Sequence, residues 1–152
     1  MNELLRAATR DVSRFLSNQL PKLSPDWWNK LVIDRLSFQQ QRTARERGFK
    51  QLEQFDFAAL LRILDQNWFE ISSTLSLPRE ARSWLKELQT VRNKWAHLSS
   101  TDLPPSESYR DADTLGRLLE AIDGSAETRL AVDAAKNAAM AAMSPQIGRA
   151  HV

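Results

Sequence analysis

The fold is decided by residues 55–97, FDFAALLRILDQNWFEISSTLSLPREARSWLKELQTVRNKWAH. Asp56 is placed to cap a helix, since its carboxylate can accept from the free N–H groups of a first turn. Phe57, Leu60, Leu61, Leu64, Trp68, Ile71 and Leu75 then recur every three or four residues, the period of one helical face. Leu77-Pro78 breaks the run. A second helix is expected from Pro78 to about Leu98, with Trp84, Leu88, Val91 and Trp95 on its buried face. So short a connection forces the two helices to pack antiparallel. Leu61, Leu64 and Trp68 should therefore meet Leu88, Val91 and Trp95.

The same period extends in both directions. Leu4, Leu5, Ala8, Val12, Phe15, Leu16 and Leu20 define a first helix from about Asn2 to Leu20, which Pro21 is expected to stop. Ser24 and Pro25 then open a second helix with Trp27, Trp28, Leu31, Val32 and Leu36 inward. Its continuation, the polar tract QQQRTARERG, should fray into a loop ending at Gly48. After 97, SSTDLPPSES reads as a loop. A helix follows from roughly Glu107 to Ile122, closed by Asp123-Gly124. Ser125 caps a last, alanine-rich helix to about Met143, easy to form but with little to bury. No alternating strand is present. The expectation is an all-α bundle of about five to six helices, with residues 1–122 as one domain and 123–146 as a helix leading into a continuation. IGRAHV, residues 147–152, reads as a translated sequencing adapter, so His151 is set aside.

The chain has no cysteine, which excludes disulfides, thiolate zinc sites and cysteine nucleophiles. No apolar run approaches the ~18 residues of a membrane span, and the charged N-terminus is not a signal peptide. A cytoplasmic protein with no membrane partner is the default. A net charge of +2 diagnoses no partner. The preference for arginine over lysine suits phosphate recognition, and is equally what a GC-rich coding sequence produces.

Chemistry is concentrated in Arg92-Asn93-Lys94-Trp95-Ala96-His97. Histidine titrates near neutrality and can take the proton of a ribose 2′-hydroxyl or give one to a leaving 5′-oxygen. Arginine can hold a scissile phosphate bidentately and stabilise its developing charge. Asparagine can orient the histidine or donate to phosphate. On a helix Asn93 and His97 share a face, while Arg92 and His97 diverge by about 140°. A two-fold copy can bring its Arg92 beside the first copy's His97, so the spacing allows a composite site in a homodimer. A histidine in the last turn also complements the helix dipole, a purely structural use.

At this point the sequence resembles the HEPN domains, whose signature is RN-x-x-x-H. The surrounding stretch is similar to the Swt-type HEPN branch, in which an Asn-Trp on one helix precedes an E-x-x-x-VRN-x-WAH helix. Here these are Asn67-Trp68 and Glu87 to His97. The resemblance covers about residues 1–122 and is strongest over 55–100. It implies a dimerising bundle of four or five helices with metal-independent endoribonuclease activity. The products would end in a 2′,3′-cyclic phosphate and a 5′-hydroxyl. It implies Arg92 and His97 as catalytic residues, assisted by Asn93. Bacterial members of the branch often lead larger ATPases and helicases of phage-defence type.

Lys94 is expected to be exposed, either contacting RNA backbone as a substrate-binding residue or simply solvated. Arg42, Arg45, Arg47 and Lys50 read as a solvated loop or a phosphate-tracking arm. Trp68, Trp84 and Trp95 read as core, whereas Trp27 and Trp28 cannot both face inward. Asp11, Asp34 and Asp65 fall on separate helices without a histidine, so no metal site is read. Without a glycine-rich phosphate loop, no cofactor is called for. Two functions stand: an endoribonuclease acting on RNA as a toxin or defence effector, or a non-catalytic dimerisation or nucleic-acid-binding module of a larger ATPase or helicase.

Overall fold

The computed structural model describes the backbone of residues 2–97 and 103–150, with side chains at 3–95 and 103–143. Seven α-helices run in the order α1 (Asn2–Leu23), α2 (Phe38–Glu46), α3 (Phe57–Gln66), α4 (Trp68–Thr74), α5 (Ala81–His97), α6 (Pro105–Ala121) and α7 (Ala126–Ala150). Between α1 and α2 lie a π turn (Trp28–Val32) and a 3-10 turn (Ile33–Arg35), and a second 3-10 turn (Leu52–Gln54) precedes α3. The described residues contain no strand, so the all-α expectation holds. One core joins Leu16 and Leu20 of α1, Leu60, Leu61 and Leu64 of α3, Leu85 and Leu88 of α5, and Leu115 and Leu118 of α6.

α3 and α5 pack antiparallel. Asp65, near the end of α3, pairs with Lys86 at 2.7 Å and Arg82 at 3.7 Å in the first turns of α5. Asp56 Oδ1 caps α3 by accepting from the Ala59 N–H at 2.9 Å. Trp68 is buried, and Trp84 and Trp95 pack half-buried against the core.

Beside shifts of two or three residues at the starts of α5 and α6, four parts of the sequence reading differ from the structure. α1 runs through Pro21 and ends at Leu23. A proline in a last turn forfeits one backbone bond, and burial of Leu20 with packing of Leu23 offsets that cost. The expected second helix is only the π and 3-10 turns, although Leu31, Val32 and Leu36 are buried as expected. Trp27 and Trp28 are both half-buried, meeting edge to face with centroids 5.7 Å apart. The polar tract is not a loop but α2, started by a capping box. In it Ser37 accepts from the Gln40 N–H and Gln40 accepts from the Ser37 N–H. Gly48, at φ 65°, follows α2 in the left-handed conformation that glycine tolerates. Finally, the run from Phe57 to Leu75 is two helices, because Asn67 interrupts it at φ −106°, ψ 11°.

Asn67 explains the interruption. Its side chain is fully buried, and its amide nitrogen donates at 2.8 Å to the carbonyls of both Leu31 and Ile63. The π turn is irregular, so it leaves carbonyls that a regular helix would satisfy internally. Neighbouring side chains complete the repair. Arg35 donates to the Gln66 carbonyl at 2.6 Å, and Arg62 donates to the Arg35 carbonyl at 2.8 Å.

α7 is anchored on two earlier helices. Asp11 of α1, itself buried, accepts from the Ser125 N–H at 3.0 Å. Ser125 Oγ accepts from the Thr128 N–H, giving the expected cap. Val132 seats over Gly116 of α6, where a Cβ would approach its Cγ1 to 2.9 Å. Lys136 pairs with Asp113 at 3.0 Å, and Arg10 with Glu127 at 2.9 Å. The weak docking expected of an alanine-rich helix is thus supplemented by polar anchors. Leu130 and Met140 remain exposed.

Asn67→Ala should lower stability by about 1–3 kcal/mol, because the Leu31 carbonyl loses its side-chain donor, while the Ile63 carbonyl keeps the backbone N–H of residue 67 at 3.1 Å. Asn67→Asp should be worse, since an acceptor would face acceptors. Chemical denaturation checks both, and a loss below half a kcal/mol for Ala would contradict the role.

Candidate active site on α5

α5 is an unbroken helix through the motif, so its residues radiate at about 100° intervals. Leu85, Leu88 and Val91 fill the core side. Arg92 lies beside that stripe, half-buried, and its Nη1 donates to Asn93 Oδ1 at 3.3 Å. Asn93 is exposed. Position 97 closes α5 four residues after Asn93, on the same ridge. The His97 side chain lies outside the described residues. Arg92 and Asn93 are therefore adjacent on one copy, and the helix carries Arg92 and position 97 to different sides, roughly 7.5 Å apart along the axis.

Lys94 departs from its expected setting. It is not a free surface lysine but bonds Glu107 of α6 and lies 3.1 Å from the Asp111 carboxylate. Burial alone would lower its pKa. The hydrogen bonds and charges of Glu107 and Asp111 outweigh that and hold the ammonium above its ordinary value. Asp111 is buried, and its carboxyl is raised, first by desolvation. Lys94 pulls it down, while Glu107 and Glu87 repel its charge and push it further up. Lys94 is thus the cation that lets the carboxylates of Glu107 and Asp111 gather where α6 meets α5. Its sequence neighbours face away, so nothing local in the sequence marks this.

Arg92 instead forms part of the wall of a cleft of about 380 Å³ bounded by α2, the 52–54 turn and the start of α3. Arg47 lines the same cleft. Among the described residues neither arginine is paired with a carboxylate. The basic run therefore splits. Arg42 and Arg45 are exposed on α2, and Arg47 joins Arg92. The sequence reading weighed Arg47 only as part of a basic arm and missed Gln40 as a cleft residue because it took the polar tract for a loop; Gln54, in the following turn, carried no local signal. The signal was available: Ser37 followed three residues later by Gln40 marks a helix start.

Residues 3–123 match the family model described as Swt1-like HEPN. The chain belongs to that family. HEPN domains generally are RNases, and they commonly dimerise and bind RNA. Neither a curated protein nor a solved structure matches the chain. No helix among the described residues is long and apolar enough to cross a membrane.

Lys94→Ala should destabilise the fold by about 1–3 kcal/mol at pH 7, between the values for exposed and fully buried pairs. The raised carboxyl of Asp111 contributes stability at low pH that is lost as pH rises through its folded pKa. Removing Lys94 raises that carboxyl further. The deficit against wild type should therefore be full where that carboxyl is ionised in the variant, near neutrality, and shrink as pH falls through its raised folded pKa. Melting temperatures from pH 3 to 8 measure it, and a deficit constant across that range would contradict the assignment.

Proposed function

We propose that this chain is a metal-independent endoribonuclease of the HEPN type, acting as a homodimer on RNA. The observation that carries the reading is the R-N-x-x-x-H register lying on one continuous helix, with the Arg92 guanidinium unclaimed by any carboxylate among the described residues at the wall of an open cleft. Family membership supports it.

In this reading the ribose 2′-oxygen attacks the adjacent phosphorus and the bond to the 5′-oxygen breaks. His97 takes the 2′-hydroxyl proton or supplies one to the leaving oxygen. Arg92 stabilises the charge on the non-bridging oxygens, and Asn93 orients the imidazole or donates to phosphate. The products are a 2′,3′-cyclic phosphate and a 5′-hydroxyl. Because Arg92 and His97 diverge on one helix, a two-fold axis beside α5 supplies the partner's Arg92 to each His97. Lys94 is assigned to holding α6 rather than to phosphate. Residues 1–122 form the catalytic unit, and the helix from 123 leads to further sequence. The setting proposed is a cytoplasmic toxin or phage-defence effector, or the leading module of a larger protein of that kind.

His97→Ala should reduce RNA cleavage by ~100- to 10,000-fold. Its melting temperature should change little, since a last-turn histidine contributes only ~0.3–1 kcal/mol through the dipole. Arg92→Ala should be similarly impaired. Cleavage should persist in EDTA and fail where the cut site carries a 2′-deoxyribose. Sedimentation at micromolar concentration should show a dimer, and mixing Arg92→Ala with His97→Ala protein should restore part of the activity through one intact composite site. Absence of cleavage on diverse RNAs, or full activity in His97→Ala, would leave the non-catalytic binding module as the function.

A further inference from the structure

The cleft beside Arg92 has a chemistry that the RNase reading does not use. Two of its residues, Gln40 and Gln54, have their amide oxygens already engaged. Gln40 Oε1 accepts from the Ser37 N–H at 3.1 Å. Gln54 Oε1 accepts from the N–H groups of Lys50 at 2.7 Å and Gln51 at 2.9 Å. Backbone N–H groups can only donate, so the carbonyl end of each glutamine is fixed inward and the NH₂ end is left over. Both residues line the cleft. Asp56 lines it too, with one carboxylate oxygen accepting from Ala59 and the other available as an acceptor. Phe49 lies on the same wall, its ring in edge-to-face contact with Phe55 at 5.1 Å, and remains partly open to solvent. Arg47 and Arg92 supply two positive charges that form no ion pair among the described residues.

We propose that this cleft is a nucleobase subsite for single-stranded RNA, selecting a base that carries a keto oxygen next to a ring N–H, uracil or guanine. The volume of about 380 Å³ falls at the low end of small-ligand pockets, the scale of one nucleotide. Phe49 offers a ring against which the base can stack. The amide NH₂ groups of Gln40 and Gln54 donate to keto oxygen, and the open Asp56 oxygen accepts from the ring N–H. Cytosine and adenine present an amino group and an unprotonated ring nitrogen at that edge, so they set donor against donor and acceptor against acceptor. Arg92, at the wall, receives the phosphate attached to the bound nucleotide, which seats the selected base beside the bond to be cut. This inference rests on the RNA-cleaving reading for its substrate but concerns recognition, and it is tested by binding.

The test uses the full chain carrying His97→Ala, so that RNA is bound and not cut. Fluorescein-labelled heptamers of uridine and of cytidine, equal in size and charge, are titrated and followed by anisotropy. The uridine heptamer should bind roughly five- to fifty-fold more tightly. Gln54→Glu and Gln40→Glu are then made in that background. Each keeps the carboxyl-type oxygen that holds the backbone N–H groups, so the local fold is retained, but removes the donor. Added negative charge weakens both RNAs together. The quantity read is therefore the uridine-to-cytidine ratio, which should fall towards one. Equal affinity of the His97→Ala protein for the two heptamers overturns the subsite, as does a ratio unchanged in both glutamate variants. Such a result leaves the nuclease reading intact if wild type still cuts. Conversely, a keto preference in binding without cleavage by wild type removes the nuclease reading and leaves the subsite standing.

Discussion

The bundle depends on the side chain of Asn67. A fully buried amide at the junction of α3 and α4 holds the carbonyls of Leu31 and Ile63 together. Without that bridge the π turn would carry an unsatisfied carbonyl into the core, at a cost comparable to a lost hydrogen bond or more. With it, the chain passes from α1 to α2 through irregular backbone and still buries Leu31, Val32 and Leu36. The position of α2 follows from that passage, and α2 forms one wall of the cleft at Arg92. Asn67 therefore works at a distance from the R-N-x-x-x-H residues. It shapes the surroundings of the site without touching it.

α5 divides its residues among three tasks. Leu85, Leu88 and Val91 bind the helix to the core, Lys94 fastens it to α6, and Arg92 and Asn93 are left for the surface. Neighbours in sequence are separated by about 100°, which is why Lys94 can sit between two carboxylates while Arg92, two residues earlier, meets none among the described residues. Electrostatic insulation of this kind bears on the proposed use of Arg92. Had Glu107 or Asp111 faced Arg92, its guanidinium would be occupied before any phosphate arrived.

Much of the architecture is legible in the sequence because it is local. The stripe from Phe57 to Trp68, the break at Leu77-Pro78, and the caps at Asp56 and Ser125 are read from spacing and residue type, and the structure has each of them. The R-N-x-x-x-H register was equally plain, since it depends only on helix phase. What was not legible depends on contacts distant in sequence. The burial of Asn67 splits one periodic run into two helices, and packing of Leu20 and Leu23 carries α1 past Pro21. The pairing of Lys94 with Asp111 needs α6 in place. α2 is a different case: its Ser37–Gln40 box was visible, and the polar composition of the tract obscured it.

The hold that Asp11 has on the cap residue of α7 has a mechanical consequence. Nucleation is the costly step in forming a helix, and here the first turn is held both by its own Ser125 cap and by a buried side chain of α1. Growth from a fixed start through residues of high propensity yields a stiff rod, not a tether. From Ala126 to Met143 it extends roughly 26 Å in a direction set by α1 and α6. Anything attached to its far end would be held at a defined bearing relative to α5, so a tilt of that rod would register at the bundle as torque on Asp11 and Val132.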